Sequence, residues 1–254
     1  MYPNLFGLEG FSMTFMILLG VLVASLIFII YLKKRAHINS LDMILVILVT
    51  VGIGIIFAIL FENIYEAIKA SINGKSPSWT WGMTFFGGLF GGIVTFLLMY
   101  KYYYLKHNAP CLKEILIIAP GAICFGHAFG RIGCFLSGCC YGIEIENGIL
   151  FPGHTSPVLP TQLIEMGFLF VLGTILIILP IKRISVYTMP IYLASYSVFR
   201  FIIEFFRGDE RGQLAGLSPS QYWCIILLLL SIALIFIYRK INFASGEKYD
   251  NEVQ

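Results

Sequence analysis

Seven stretches of this chain are each close to the length of a helix that crosses a bilayer, at residues 12–32, 43–61, 84–103, 115–129, 162–181, 187–205 and 221–238. A hydrocarbon core about 30 Å thick needs roughly 20 apolar residues per spanning helix. The fourth stretch is short and carries Pro120, so it is the least regular of the set. With 58% hydrophobic and 12% charged residues and a mean hydropathy of +0.86, a water-soluble domain is excluded. The expected fold is an all-α polytopic membrane protein of about seven transmembrane helices.

No basic residue precedes the first stretch, Lys33, Lys34 and Arg35 follow it, and it has no small-residue cleavage site. It reads as a retained helix with its N-terminus outside, not as a cleaved signal peptide. Threading alternate sides from there gathers Lys33, Lys34, Arg35, Lys101, Lys106, Lys113, Lys182, Arg183, Arg239, Lys240 and Lys248 on one side, 11 of the 17 basic residues. That side is expected to be cytoplasmic, together with the C-terminus. Trp79, Trp81 and Trp223 then fall at the opposite boundary, where amphipathic rings anchor. The net charge of +3 belongs to these inner loops and does not point to nucleic acid.

No linker or fixed-period repeat divides the helices, so residues 1–241 are expected to form a single transmembrane catalytic domain, followed by a polar, disordered cytoplasmic tail at 242–254. Two outer segments are longer than the rest. Residues 62–81 extend the second helix outward before a turn near Gly74 and Pro77. Residues 130–160, rich in Gly and Cys, cap the outer face.

Four segments can carry chemistry. Arg200, Glu204 and Arg207 stand at i, i+4 and i+7, one face of the sixth helix. A charge at the centre of a membrane helix costs about 2.5–3.5 kcal/mol on insertion scales, so this stripe must be paired or near the interface. Either it is an ion network that pins helices, or it is an anion site whose spare guanidinium donors suit a phosphate, such as a phospholipid headgroup. In the second segment His127 and Arg131 are i, i+4 neighbours, followed by Gly133, Cys134, Cys139, Cys140, Tyr141 and Gly142. His127 is either a hydrogen-bonded structural residue or a proton acceptor. The third, Phe86-Gly87-Gly88-Leu89-Phe90-Gly91-Gly92, carries two overlapping Gly-x-x-x-Gly pairs. These read first as a close helix-packing face and second as room for a substrate. In the fourth, Pro160 precedes Gln162 and Glu165, which at i, i+3 face the bundle.

Six cysteines in a chain of 254 residues are no disulfide scaffold. Cys134, Cys139 and Cys140, with His127 or His154, could offer ligands to zinc, but they lack the Cys-x2-Cys knuckle of structural sites. A disulfide or plain buried thiols is the readier reading, and no metal or cofactor is assigned.

In chain order these segments resemble the phosphatidylglycerol:prolipoprotein diacylglyceryl transferase family of bacterial inner membranes. The matching pieces are Phe-Phe-Gly-Gly-Leu-Phe-Gly-Gly at 85–92, Gly-Arg-Ile-Gly-Cys-Phe at 130–135 with Gly142, Pro-Thr-Gln-Leu-Ile-Glu at 160–165, and Tyr-Ser-Val-Phe-Arg-Phe-Ile-Ile-Glu-Phe-Phe-Arg at 196–207. The resemblance implies seven helices with the N-terminus outside and an active site toward the outer face of the inner membrane. It also implies transfer of a diacylglyceryl group from phosphatidylglycerol to the lipobox cysteine of prelipoproteins, releasing glycerol phosphate.

Two positions depart from the family pattern: Phe86 stands where the family has a histidine, and Cys134 where it has an asparagine. Phenylalanine neither accepts a proton nor hydrogen-bonds a headgroup, so His127 becomes the candidate base, with Tyr196 or Tyr141 in a relay.

The expected catalytic residues are Arg131, Glu204, Arg207 and His127. Arg200, Gly87, Gly88, Gly133, Cys134, Gly142, Gln162, Glu165 and Tyr196 are expected to bind substrate. Glu204 would orient Arg200 or Arg207 against the phosphate, while Gln162 and Glu165 shape the glycerol pocket. Two rivals stay open: a phospholipid-dependent transferase with another acceptor, and a non-catalytic phospholipid-binding or transport protein.

Overall fold

The computed structural model describes residues 11–35, 40–72, 74, 76, 78–80, 84–107, 112–152, 155–208 and 216–241, with the backbone alone at Phe11, Ser40, Phe85, Phe86, Leu89 and 103–107. Expectations placed on the 242–254 tail, on Pro77, Trp81 and His154, and on the side chains of Phe86 and Lys106, lie outside the described residues.

The apolar stretches fold as helices α1 (Phe11–Arg35), α2 (Ser40–Ile72), α3 (Phe85–His107), α4 (Leu112–Leu136), α5 (Thr161–Ile181), α6 (Thr188–Ile203) and α7 (Pro219–Lys240). Six are long and apolar enough to cross a membrane, and α3 contributes a shorter apolar segment, Phe90–Tyr102. Their outer faces are hydrocarbon. On α1, Leu18, Leu22, Leu26 and Ile30 are all exposed at four-residue spacing, the stripe that a helix turns toward lipid. Polarity is turned inward: Gln162, Glu165, Thr188 and Ser197 are buried. The chain is a multi-pass membrane protein.

Proline does not interrupt α4. The helix runs 25 residues through Pro120, whose missing N–H leaves the Leu116 carbonyl without its usual helical donor. One residue along, the Thr188 hydroxyl of α6 donates to the Ile117 carbonyl at 2.6 Å, so a neighbouring helix supplies a donor to the loosened turn.

The chain divides into two compact units, Met1–Tyr31 with Leu112–Gln254, and Leu32–Cys111. In the second, α2 packs on α3. A side chain at Gly87 would come within 2.6 Å of Phe61 Cβ and 2.7 Å of the Phe57 carbonyl, and Gly88 lies against Ala58. The Gly-x-x-x-Gly pattern is therefore a close-packing face on α2. As expected, α2 runs beyond its apolar stretch to Ile72, and Gly74 turns the chain at φ +64°.

In the first unit, α4 packs on α5, α6 on α7, and α6 against both α4 and α5. Cys124, Ala128, Leu169, Leu172 and Leu176 form the buried seam. Gly20 meets Gly126 backbone to backbone, which brings α1 tightly onto α4. The segment between α4 and α5 is not all irregular: strand β1 (Glu144–Ile149) bridges to Val158.

Candidate active site

Glu165 sits one turn into α5, fully buried, and two other helices converge on its carboxylate. From α4, Arg131 places a terminal nitrogen 3.0 Å from Oε1, and His127 Nε2 lies 3.8 Å from the same oxygen. From α6, the Tyr196 hydroxyl donates to Oε1 at 2.8 Å, and Arg200 reaches Oε2 at 3.3 Å. The i, i+4 spacing of His127 and Arg131 works because α4 stays helical to Leu136. The ring of His127 also meets Tyr196 edge to face at 5.3 Å.

A second carboxylate extends the chain of charge. Glu204 pairs with Arg200 at 2.6 Å and accepts the Ser218 hydroxyl at 2.9 Å. Ser218 is itself the N-cap of α7, in a capping box with Gln221 followed by Pro219 at the first helical position. Sequence reading passed over Ser218, although Ser-Pro-Ser-Gln before an apolar run is a helix-start signal. The order Arg131, Glu165, Arg200, Glu204 thus alternates in sign across α4, α5 and α6, which is how charge is tolerated among apolar helices.

Arg207 departs from the expected helical stripe. α6 ends at Ile203, a single 3-10 turn follows at Glu204–Phe206, and Arg207 is extended, with φ −80° and ψ 136°. Its backbone bridges antiparallel to Gly142, the Gly208 N–H donates to the Tyr141 carbonyl at 3.2 Å, and the Ile143 N–H to the Phe206 carbonyl at 3.0 Å. Arg207 is therefore aimed by main-chain pairing with the loop after α4, not by the face it shares with Arg200. Of the two arginines, Arg200 is the one Glu204 holds.

Gly142 makes this pairing possible. A Cβ there would lie 2.6 Å from the Phe206 carbonyl and 2.8 Å from Thr161, so only glycine admits the two strands so closely. Gln162, also fully buried, donates to the Cys139 carbonyl at 2.6 Å, and Thr161 to the Cys140 carbonyl at 2.9 Å. Gln162 is thus a tether for that loop. Gly133 faces Met13 and Met16 of α1, a packing position. Cys134 is buried, and its sulfur gathers with those of Cys139 and Cys140. Gly87 and Gly88 belong to the other compact unit.

The structure therefore brings together Arg131, His127, Glu165, Tyr196, Arg200 and Glu204 by direct contact. The loop adds Arg207 through Gly142. Within the cluster, Arg131 Nε is buried and has no hydrogen-bond partner among the described residues, although its terminal nitrogen is engaged by Glu165. A buried donor left open carries a desolvation penalty of about 1–3 kcal/mol or more, which an incoming acceptor removes.

Helices apolar on the outside, with a ladder of arginines and carboxylates inside, define a polytopic membrane protein with a buried ionic site. The chain matches the family model for prolipoprotein diacylglyceryl transferase over residues 5–237, and it belongs to that family of transferases. It is 32% identical to phosphatidylglycerol–prolipoprotein diacylglyceryl transferase 2 of Clostridium perfringens, over 98% of this chain and 97% of the relative. Against the phosphatidylglycerol–prolipoprotein diacylglyceryl transferase of Clostridium tetani it is 31% identical over 93% of this chain and 96% of the relative. A Dehalococcoides mccartyi relative, likewise named, is 31% identical over 82% of this chain and 81% of its own.

Proposed function

We propose that this protein transfers a diacylglyceryl group from phosphatidylglycerol to the lipobox cysteine of prelipoproteins in the bacterial inner membrane. In this reading residues 1–241 act as one catalytic domain and the site opens toward the outer face. The relatives carry this activity in their names. The single observation that carries the assignment of residues is the open, buried Nε of Arg131 beside a carboxylate that fixes the rest of its guanidinium.

The reaction forms a bond from sulfur to a glyceryl carbon and breaks the bond from that carbon to the phosphate oxygen. The electron pair leaves with the phosphate, whose charge grows from one to two. Cations held in place where that charge develops lower the barrier. Arg131 and Arg207 serve as these cations, one aimed by Glu165 and the other by the Gly142 bridge. Arg200 and Glu204 hold Glu165 and Arg131 in register and do not meet the phosphate.

The attacking thiol gives up its proton first, since thiolate is the nucleophile. His127 is the acceptor in this scheme: its Nε2 lies beside Glu165, which steadies the imidazolium that forms. Tyr196 already donates to Glu165, so it positions that carboxylate and is not the base.

The test uses the full chain in vesicles with labelled phosphatidylglycerol and a lipobox peptide. Wild type releases glycerol phosphate and yields diacylglyceryl peptide, while Arg131→Ala remains in the membrane but releases neither. Lipidated peptide formed by Arg131→Ala, or none formed by the wild type, would overturn the assignment. A protein that binds the lipid without releasing glycerol phosphate would be a binder and not this enzyme.

A further inference from the structure

We infer that Cys134, Cys139 and Cys140 form a three-thiolate site for a zinc ion, beside the Arg–Glu ladder. The three sulfurs lie within 4.8 Å of one another. Zinc–sulfur bonds of about 2.3 Å in a tetrahedral arrangement place sulfurs about 3.8 Å apart, so side-chain rotations of less than a bond length complete the site.

The main chain holds the cluster together. α4 ends in a paired closure: Gly138, at φ +71°, donates its N–H to the Phe135 carbonyl at 3.1 Å, and Cys139 donates to the Cys134 carbonyl at 3.1 Å. This is the Schellman arrangement, in which a left-handed glycine folds the chain back over the last helical turn. It returns Cys139 to Cys134 across a four-residue gap in sequence, so a Cys-x2-Cys knuckle is not needed. Cys140 is then itself left-handed, at φ 66°, a conformation that non-glycine residues adopt only singly and rarely. With this backbone turn its sulfur lies in the group, and the carbonyls of Cys139 and Cys140 are held by Gln162 and Thr161.

The electrostatics suit a divalent ion. The Arg207 guanidinium lies within hydrogen-bonding reach of the Cys140 sulfur, so a fixed positive charge borders the three sulfurs. Three thiolates around zinc carry a net single negative charge, which Arg207 offsets; a monovalent ion such as copper(I) would leave two. Thiolate sulfur is also the ligand type that selects zinc over magnesium or calcium. The fourth position is left for water or another small donor, as in sites that are not purely structural.

The experiment uses the full chain, purified in detergent under reducing, oxygen-free conditions and loaded with zinc chloride alone before free metal is removed. Elemental analysis is expected to find about one zinc per chain, retained by Cys224→Ser and lost by the triple variant Cys134→Ser, Cys139→Ser, Cys140→Ser. In the wild type, zinc is expected to shield these three thiols from alkylation, mapped by peptide mass, so the result does not depend on the variant folding. Metal content equal in wild type and triple variant overturns the site. So does alkylation of the three thiols that zinc leaves unchanged, or a disulfide among them in the reduced, zinc-treated protein.

Discussion

Arg131 on α4 and Tyr196 on α6 converge on a single atom, Oε1 of Glu165, at 3.0 and 2.8 Å. One oxygen of one side chain therefore joins two helices that are not neighbours in sequence, and the other oxygen adds Arg200. Changes at this carboxylate should be felt by all of them.

For Glu165→Gln the side chain keeps its shape but leaves Arg131 and Arg200 buried beside a neutral amide. Removing one partner of a buried ion pair costs about 3–5 kcal/mol. Thermal unfolding in detergent should show a clearly lowered midpoint together with loss of transfer. A midpoint equal to wild type would mean that the arginines are not held by this carboxylate.

Arg131→Lys preserves the positive charge and removes the forked donors. An ammonium can meet Glu165 but has no second edge for a phosphate oxygen. Steady-state assays should show kcat/KM lower by about 10²-fold, comparable to losing one charge-stabilising donor, with the thermal midpoint nearly unchanged. Wild-type kcat/KM in this variant would reduce the role of Arg131 to simple charge.

Ser218→Ala removes the cap of α7 and the hydroxyl on Glu204 at once. Loss of such a cap costs about 0.5–2 kcal/mol. Unfolding measurements should register that range, and Ser218→Thr, which retains both hydrogen bonds, should recover most of it.

Gly142→Ala forces a methyl group toward the Phe206 carbonyl, Thr161 and Leu159. The strand carrying Arg207 must move away, so transfer should fall by more than the change in stability explains. Equal activity in this variant would show that the pairing does not aim Arg207.

Cys140 lies after the end of α4, and donors from Cys134, Cys139 and Arg207 depress its thiol while Cys139, donating to its neighbours, is raised. A depressed thiol stays ionised as pH falls, and a raised one stays protonated as pH rises. In metal-free protein, iodoacetamide at neutral pH should therefore label Cys140 ahead of Cys139, with the preference fading as the solution is made alkaline. Equal labelling of the two at neutral pH would contradict this polarity.

The helices were legible because hydropathy over about 20 residues is a one-dimensional quantity, and each stretch of it became a helix. The 115–129 stretch was read too short: Pro120 suggested a break, but the donor from Thr188 comes from a helix 71 residues away in sequence. Glu165 reads from the sequence as a polar residue facing the bundle, yet its place as the common partner of α4 and α6 depends on distances no spacing rule contains. Arg207 was misplaced because helical periodicity runs on unbroken through Phe-Ile-Ile-Glu-Phe-Phe-Arg, while the actual stop comes from backbone pairing with Gly142. The proximity of the three cysteines was hidden for a similar reason, since two left-handed residues, Gly138 and Cys140, fold the chain there.

The bridge between Gly142 and Arg207 runs through peptide groups, and peptide groups are common to every residue. Side chains along the loop can thus be exchanged generation after generation while the guanidinium keeps its aim, so long as the glycine remains. A loop built this way is free to acquire new chemistry, such as a knot of thiols, a few residues from a site that cannot afford to move.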